Sequence, residues 1–243
     1  MQENYSLFFG LAFIAEIIGT ISGFGSSILF VPIATLFFDF HIVLGITAVF
    51  HLFSNLSKIV LFRKGINKNI VLKLGVPAIV FVIIGAILTK YIPTNTIEIF
   101  MTIVLILLSL FLFFQSEYSL QQTDRNLITG GVISGFLAGL IGTGGAIRGL
   151  TMVAFNLEKD VFIATSSLID MGVDSSRALI YISNGYFKQE HIKLIPFLIL
   201  IGILGSYVGK KILQKMNQKF FRYLAITLII TTSVFQMIKL MIG

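Results

Sequence analysis

The chain has 243 residues, of which 56% are hydrophobic and only 12% are charged, and its formal net charge is +7. Because soluble domains carry about 25% charged residues, this composition excludes a water-soluble globular protein and leaves no room for a soluble catalytic domain. A basic excess in a membrane protein usually reflects cytoplasmic loops, which argues against a nucleic-acid partner. The chain has no cysteine, so disulfides, thiolate metal sites and cysteine nucleophiles are excluded.

Apolar runs separated by short polar breaks follow one another along the chain. They lie near residues 6–22, 27–38, 42–62, 72–92 and 97–115 and, after a polar stretch at 116–126, near 127–141, 146–157, 161–183, 192–209 and 220–242. Since one transmembrane helix needs about 20 residues, the sequence predicts an all-α polytopic membrane protein. The first run lacks a basic flank and a small-residue cleavage site, so we expect a retained membrane segment and not a signal peptide.

The two halves of the chain repeat each other at a shift of 119 residues. Four pairs of residues coincide at this shift, namely Gly23 with Gly142, Gly25 with Gly144, Lys58 with Arg177, and Pro77 with Pro196. Their order relative to the apolar runs is the same in both halves, which indicates an internal repeat. We therefore predict a first membrane repeat at 1–115, a connecting loop at 116–126 and a second membrane repeat at 127–243.

Each half opens with two short apolar runs that are joined by a glycine-rich break. Unwound backbone at membrane depth survives only beside protein or a water-filled cavity, and paired breaks of this kind point to the binding site of a transporter. The residues predicted to bind substrate are therefore those of the breaks and of the turn that follows: Ser22, Gly23, Gly25, Ser26, Ser27, Gly142, Thr143, Gly144, Gly145 and Arg148. Glycines at 131, 135 and 139 predict close helix packing in the second half.

The basic residues predict how the broken segments lie in the membrane. They cluster in two loops, one with Arg63, Lys64, Lys68 and Lys73, the other with Lys210, Lys211, Lys215, Lys219 and Arg222. If both loops are cytoplasmic, the segment at 127–157 must return to its own side as a re-entrant hairpin, and we expect the same of the first broken segment. Each half then makes three full crossings, and this odd number inverts the second repeat relative to the first. Lys188 and Lys193 fit this topology less well, because it places them outside.

The helix that follows each broken segment carries a polar stripe. His51, Asn55 and Lys58 lie on one helical face, and the shift of 119 residues maps them onto Asp170, Asp174 and Arg177. Intramembrane ionisable groups normally face a bundle interior or an aqueous pathway, so these residues are predicted to couple or gate transport. A purely structural interpretation is equally compatible with the sequence, because Asp174 can neutralise Arg177 and Lys58 can extend toward the cytoplasmic cluster.

Arg148 lies on the first turn of the second returning half-helix. Free N–H groups at a helix N-terminus favour an anion, and a guanidinium grips planar oxyanions, so Arg148 is the first candidate anion-binding residue. The alternative is that Arg148 pairs with Glu16 or an aspartate.

The charges predicted to lie inside the membrane sum to zero, because three carboxylates (Glu16, Asp170, Asp174) match three bases (Lys58, Arg148, Arg177). Two interpretations remain open: one net positive charge is presented to the substrate, or a carboxylate takes up a proton during transport. His51 is either a proton carrier or a hydrogen-bonding packing residue.

Membrane enzymes and metal sites lack their sequence signatures. The breaks contain neither the Gly-x-Ser-Gly of intramembrane serine proteases nor the Gly-x-Gly-Asp of the aspartyl type, so no catalytic residue is predicted. The three histidines, His41, His51 and His191, lie in different segments without ligand spacing. We expect no cofactor and no bound metal.

The two breaks resemble those of a known family. Ser22-Gly23-Phe24-Gly25-Ser26-Ser27 with Val31-Pro32, and Gly139-Leu140-Ile141-Gly142-Thr143-Gly144-Gly145, look like the motifs of the TauE/SafE-type sulfite exporters. The resemblance covers nearly the whole chain and implies movement of small sulfur-containing or carboxylate anions across the prokaryotic plasma membrane. It also implies that the glycine breaks and the first turn after each form the substrate cradle. The second motif lacks the proline, and Asp170 and Asp174 replace expected neutral residues, which departs from the pattern of a sulfite carrier.

The sequence thus predicts a multi-pass secondary transporter, an exporter, of a small anion such as sulfite, an organosulfonate or a related carboxylate. Its expected partners are this anion and the lipid bilayer, and a homo-oligomer is compatible with the sequence. An anion channel and a non-transporting membrane scaffold or assembly protein remain the alternatives.

Overall fold

The computed structural model describes residues 5–62, 65–114, 121–155 and 157–215, together with residues 234 and 238. Within these residues every regular element is helical. In chain order they are α1 Tyr5–Ser22, α2 Ser27–Ala34, α3 Phe40–Leu61, α4 Lys68–Leu88, α5 Thr94–Phe114, α6 Asp124–Ile141, α7 Gly145–Val153, α8 Lys159–Ser183 and α9 Gln189–Leu213. Helix α4 contains a π-helical turn at Val71–Gly75, and α9 begins with a 3₁₀ turn. The apolar run at 220–242, apart from residues 234 and 238, and the basic residues Arg63, Lys64, Lys219 and Arg222 lie outside the described residues.

Four of these helices, α1, α3, α4 and α9, are long and apolar enough to cross a membrane. The exposed side chains of α4 form an apolar stripe of Leu72, Val76, Val80, Ile83 and Ile87. Lipid can cover such a stripe, whereas a soluble protein rarely exposes contiguous apolar surface of this extent. The prediction of an all-helical polytopic membrane protein is confirmed.

Each glycine-rich break folds the chain back on itself. Phe8, near the start of α1, packs against Phe38, which follows α2, with ring centroids 5.1 Å apart, and Gly19 lies directly against the backbone of Ser26. Helix α2 therefore runs back along α1. The same holds in the second half, where Thr151 near the end of α7 approaches Gly130 near the start of α6.

The arms of each hairpin are unequal in length. The first arms, α1 and α6, have 18 residues each, and the returning arms, α2 and α7, have 8 and 9. The expectation that both runs are too short to span is wrong for α1, which reaches the length of a membrane-crossing helix. Both first arms end at a left-handed glycine, Gly23 with φ 68° and Gly142 with φ 78°, a common helix termination.

The two halves pack against each other through equivalent helices. Gly45, near the start of α3, approaches the backbone of Tyr186 just after α8, whereas Phe62, just after α3, packs with Ile163 near the start of α8. Helices α3 and α8 are therefore antiparallel. Around this pair, α9 packs on α1 and α4 packs on α6, so each half supplies a helix that supports the other half's hairpin.

The interface between α4 and α6 is a glycine seam. Cβ atoms at Gly131, Gly135 and Gly139 would collide with the carbonyl oxygens of Leu74, Ala78 and Val82. The close packing predicted from glycine at every fourth residue of α6 is therefore confirmed.

The second basic cluster begins beside the end of α3. The Lys210 Nζ donates a hydrogen bond of 2.6 Å to the carbonyl oxygen of Leu61, where α3 ends. Lys193 lies near the start of α1, with its Nζ 5.5 Å from the centroid of the Tyr5 ring.

Replacing Gly135 with alanine should destabilise the protein by about 1–3 kcal/mol, the usual range for overpacking, because the new methyl group must push α4 away from α6. Thermal unfolding of the purified protein in detergent measures the effect. Gly10→Ala is the matched control, since no atom lies within 4 Å of its Cβ position. Equal melting temperatures for the two variants would contradict the tight seam.

Candidate functional site

A small cavity lies where the two hairpin tips meet α3 and α8. Its volume is about 20 Å³, and since roughly 10–15 Å³ by this measure hold one water, it is about the size of one water molecule. Its walls come from both halves: Gly25, Ser26, Ser27, His51, Asn55 and Lys58 from the first, and Ala138, Gly142, Gly144, Gly145, Arg148, Asp170, Val173, Asp174 and Arg177 from the second.

Three of the residues predicted for the site do not line this cavity. The Ser22 hydroxyl donates to the carbonyl oxygen of Gly19 and accepts from the amide of Phe24, both at 3.2 Å, so it shapes the turn. Gly23 lies against the ring of Phe162. Thr143 is next to the wall, where its Oγ1 accepts a 3.2 Å hydrogen bond from Ser27, a contact that joins the two hairpin tips.

Three buried ion pairs surround the cavity. Lys58 Nζ lies 2.8 Å from Glu16 Oε1, and Arg177 Nη2 lies 2.6 Å from Asp174 Oδ1. Both terminal nitrogens of Arg148 contact the two carboxylate oxygens of Asp170. Since burying unpaired charges costs several kcal/mol each, this matching lets six ionisable side chains occupy one membrane interior.

The pairing shows which of the contacts that the sequence left open these side chains make. Arg148 pairs with an aspartate, as the structural alternative held, and Asp174 neutralises Arg177. Lys58 does not extend to the basic cluster, because its ammonium points to Glu16 and also donates to Ser54 Oγ at 2.9 Å.

The guanidinium of Arg148 lies between the two hairpin tips. Arg148 occupies the first turn of α7, where its amide donates to the carbonyl oxygen of Gly144 at 3.2 Å, and its Nε donates to Ser166 Oγ at 3.1 Å. Cβ positions at Gly25 and Gly145 lie 3.8 Å and 3.2 Å from Nη2. A side chain at either glycine would therefore crowd the fork.

Arg177 holds the tip of the second hairpin. Its Nη1 donates to the carbonyl oxygens of Ala138 at 3.0 Å and Gly142 at 2.7 Å, at the end of α6. A cation at a helix C-terminus offsets the partial negative charge of unpaired carbonyls. The Tyr181 hydroxyl assists by donating to Gly139. Tyr181 was missed in the sequence, although it follows Arg177 by one helical turn.

The polar stripes of the two halves meet each other. Asn55 Nδ2 donates to Asp174 Oδ2 at 2.8 Å, and these residues are 119 positions apart. Residues that are equivalent under the repeat thus touch where α3 crosses α8.

A cluster of hydroxyl groups around Glu16 was not predicted. Four hydroxyls donate to the Glu16 carboxylate: Thr20 at 3.1 Å, Ser26 at 2.6 Å, Ser54 at 2.6 Å and Ser206 at 2.9 Å. The Glu16 side chain is fully buried. The donors come from four helices, so no local spacing in the sequence reveals them. The signal in the sequence that pointed to this cluster was Glu16 itself, a carboxylate in the otherwise apolar α1.

Comparison with known proteins shows which protein family the chain resembles. Residues 8–235 match the model of the family described as Sulfite exporter TauE/SafE. A protein of Methanocaldococcus jannaschii, described as a probable membrane transporter protein, is 28% identical over 235 residues, which is 87% of this chain and 87% of that protein. No solved structure matches the chain.

Removing Asp174 by substitution with alanine should destabilise the protein by about 3–5 kcal/mol, because Arg177 is left buried without its carboxylate. The double variant Asp174→Ala/Arg177→Met should recover only part of this loss, since Arg177 also binds the carbonyl groups of α6. Thermal unfolding of both single variants and the double variant forms the cycle. A loss within about 0.5 kcal/mol for Asp174→Ala, as surface substitutions give, would contradict the buried pair.

Proposed function

We propose that this chain, which belongs to the TauE/SafE sulfite exporter family, is a secondary transporter that exports a small anion. The anion class is sulfite, an organosulfonate or a related carboxylate, and the location is the prokaryotic plasma membrane. The observation that supports this most is the position of Arg148. Its guanidinium group lies at the start of a half-helix, between the glycine-rich tips of the two hairpins, and already binds the Asp170 carboxylate.

The Asp170 carboxylate carries the same kind of charged oxygen atoms as the proposed substrates, and this similarity supports a small oxyanion as the substrate. A guanidinium binds a carboxylate, or two oxygens of a tetrahedral oxyanion, through two parallel hydrogen bonds, and Asp170 makes this interaction with Arg148. The side chain of Asp170 is 16% exposed, whereas its partner Arg148 is 3% exposed. In the proposed mechanism an incoming sulfonate, sulfite or carboxylate displaces Asp170 from the fork.

The arrangement of the halves supports alternating access through two inverted repeats, at 1–115 and 127–243 on either side of a connecting loop. Equivalent helices α3 and α8 run antiparallel, and equivalent side chains Asn55 and Asp174 touch. In this proposal both hairpins are re-entrant and their tips form the substrate cradle. His51, Asn55, Lys58, Asp170, Asp174 and Arg177 then couple or gate the cycle.

The size of the cavity agrees with an occluded form of a transporter. A volume of about 20 Å³ holds about one water molecule, which is too small for a sulfonate. The two halves must therefore move apart to admit substrate, in agreement with rocking of one repeat against the other.

Arg148→Gln should reduce anion flux into proteoliposomes at least tenfold, because a charged hydrogen bond to the anion contributes about 1.5–3 kcal/mol. Uptake of labelled sulfite and isethionate is the measurement. Arg125→Gln, an exposed position at the start of α6, is the matched control and should transport normally. Undiminished flux in Arg148→Gln, with normal expression, would remove Arg148 from the binding site.

Asp170→Asn should bind anions more tightly than the native protein, because the fork of Arg148 then loses its internal competitor. Thermal stabilisation by sulfite, isethionate, sulfate, thiosulfate and acetate measures this, since a ligand at 100 times its Kd adds about 2.7 kcal/mol. The Glu190→Gln variant, at an exposed carboxylate, is the control. Weaker stabilisation of Asp170→Asn by every anion would contradict the competition.

A further inference from the structure

The polar cluster behind the cavity is centred on Glu16 of α1. Its carboxylate receives hydrogen bonds from α1 itself, α2, α3 and α9, so it lies at the junction between the first hairpin and the helices that support it. Oε1 contacts the Lys58 ammonium at 2.8 Å. Oε2 contacts Ser26 at 2.6 Å. Glu16 is therefore buried away from the cavity but connected to it through side chains that line the cavity.

Glu16 differs from the other two carboxylates of the network in the nature of its partners. Asp170 and Asp174 are held by guanidinium groups, which stay charged in proteins. Glu16 is held by the ammonium of Lys58 and by hydroxyl groups. A hydroxyl group can both donate and accept a hydrogen bond, so it can pass a proton on.

A continuous hydrogen-bonded path joins Glu16 to the cavity. Ser26 Oγ lies 2.6 Å from Glu16 Oε2 and 3.0 Å from His51 Nε2, and both Ser26 and His51 line the cavity. When the His51 ring takes up a proton from the cavity at its second ring nitrogen and gives its Nε2 proton to Ser26 Oγ, the hydroxyl proton of Ser26 passes to Glu16 Oε2. One proton has then moved from the cavity to Glu16. His51 is neutral again with its proton on the other nitrogen, and rotation of the Ser26 hydroxyl and tautomer exchange of the ring reset the path.

The charge balance of the three ion pairs gives a physical reason for proton uptake along this path. The three ion pairs make the site neutral, so a bound monoanion would leave one uncompensated negative charge in the membrane interior. If Glu16 is neutral, the Lys58 ammonium, which lines the cavity, no longer has a carboxylate partner and supplies the missing positive charge.

We propose that Glu16 is the site that binds the proton co-transported with the anion, and that Ser26 and His51 connect it to the substrate cavity. This proposal rests on the proposed function, because it assigns the coupling site of the same transporter.

Lys58 and His51 are the titratable groups of α3 that face this site, and Arg148 of α7 and Arg177 of α8 act on His51 through their charges. Helix α9 contributes Ser206 and Gly205, and α2 contributes Ser26.

Infrared difference spectroscopy between acidic and alkaline buffer tests the proton site directly in the purified protein. We expect a band from the C=O stretch of a protonated carboxylic acid, and we expect Glu16→Gln to lose it while Asp170→Asn and Glu190→Gln retain it. An unchanged band in folded Glu16→Gln would overturn the proposal, and so would its loss in Asp170→Asn alone.

A second measurement separates coupling from a structural role and does not need Glu16→Gln to fold. Proteoliposomes that contain a pH-sensitive dye are given an isethionate gradient, with the membrane potential clamped. The Ser26→Ala and Ser206→Ala variants each lose one hydrogen bond to Glu16, but only Ser26→Ala breaks the link to His51. We expect Ser26→Ala to lower the number of protons moved per isethionate at least tenfold, whatever its isethionate flux, whereas Ser206→Ala keeps the native ratio.

The outcomes distinguish this proposal from the proposed function. Isethionate flux in the native protein without proton movement overturns the assignment of Glu16 and leaves anion transport intact. Equal loss of proton movement in Ser26→Ala and Ser206→Ala also overturns it. The absence of flux for both isethionate and sulfite contradicts the proposed function as well.

Discussion

Charges inside a membrane protein must be balanced within the protein, and this constraint shapes the centre of the molecule. Glu16, Asp170 and Asp174 match Lys58, Arg148 and Arg177 one to one around a single cavity. Because an unpaired buried charge costs several kcal/mol, no member of the network can change partner or protonation state alone. In the proposed transport cycle, a charged substrate therefore couples its binding to rearrangement of these pairs.

The backbone prepares this centre before any side chain contributes. Left-handed glycines end the first arm of each hairpin, at Gly23 and Gly142, and turn the chain back toward its own start. The glycine seam between α4 and α6 then brings the supporting helix into backbone contact, a typical device of membrane helices. The carbonyl groups freed at the end of α6 are bound by Arg177, so one residue both closes a helix and pairs with Asp174.

The sequence predicted the architecture well where a local pattern encodes it. The helical class, the glycine breaks, the seam at Gly131–Gly139 and most cavity residues follow from hydropathy, spacing and the 119-residue repeat. The partners of each charge could not be predicted, because pairing depends on which helices become neighbours. Glu16 is the clearest case, since its hydroxyl donors Ser26, Ser54 and Ser206 lie on three other helices. The extent of α1 was predicted to within one residue, as 6–22 against Tyr5–Ser22.

The central claim is that the two hairpin tips meet inside the membrane, and cysteine cross-linking tests it most directly. The native chain has no cysteine, so Ser27→Cys/Thr143→Cys introduces one defined pair at positions whose hydroxyl oxygens are 3.2 Å apart. Oxidation in native membranes should join the two halves, so that a chain cut between residues 116 and 126 still migrates as one species. Two separate fragments after oxidation, with both cysteines reactive, would show that the tips do not meet and would contradict the account.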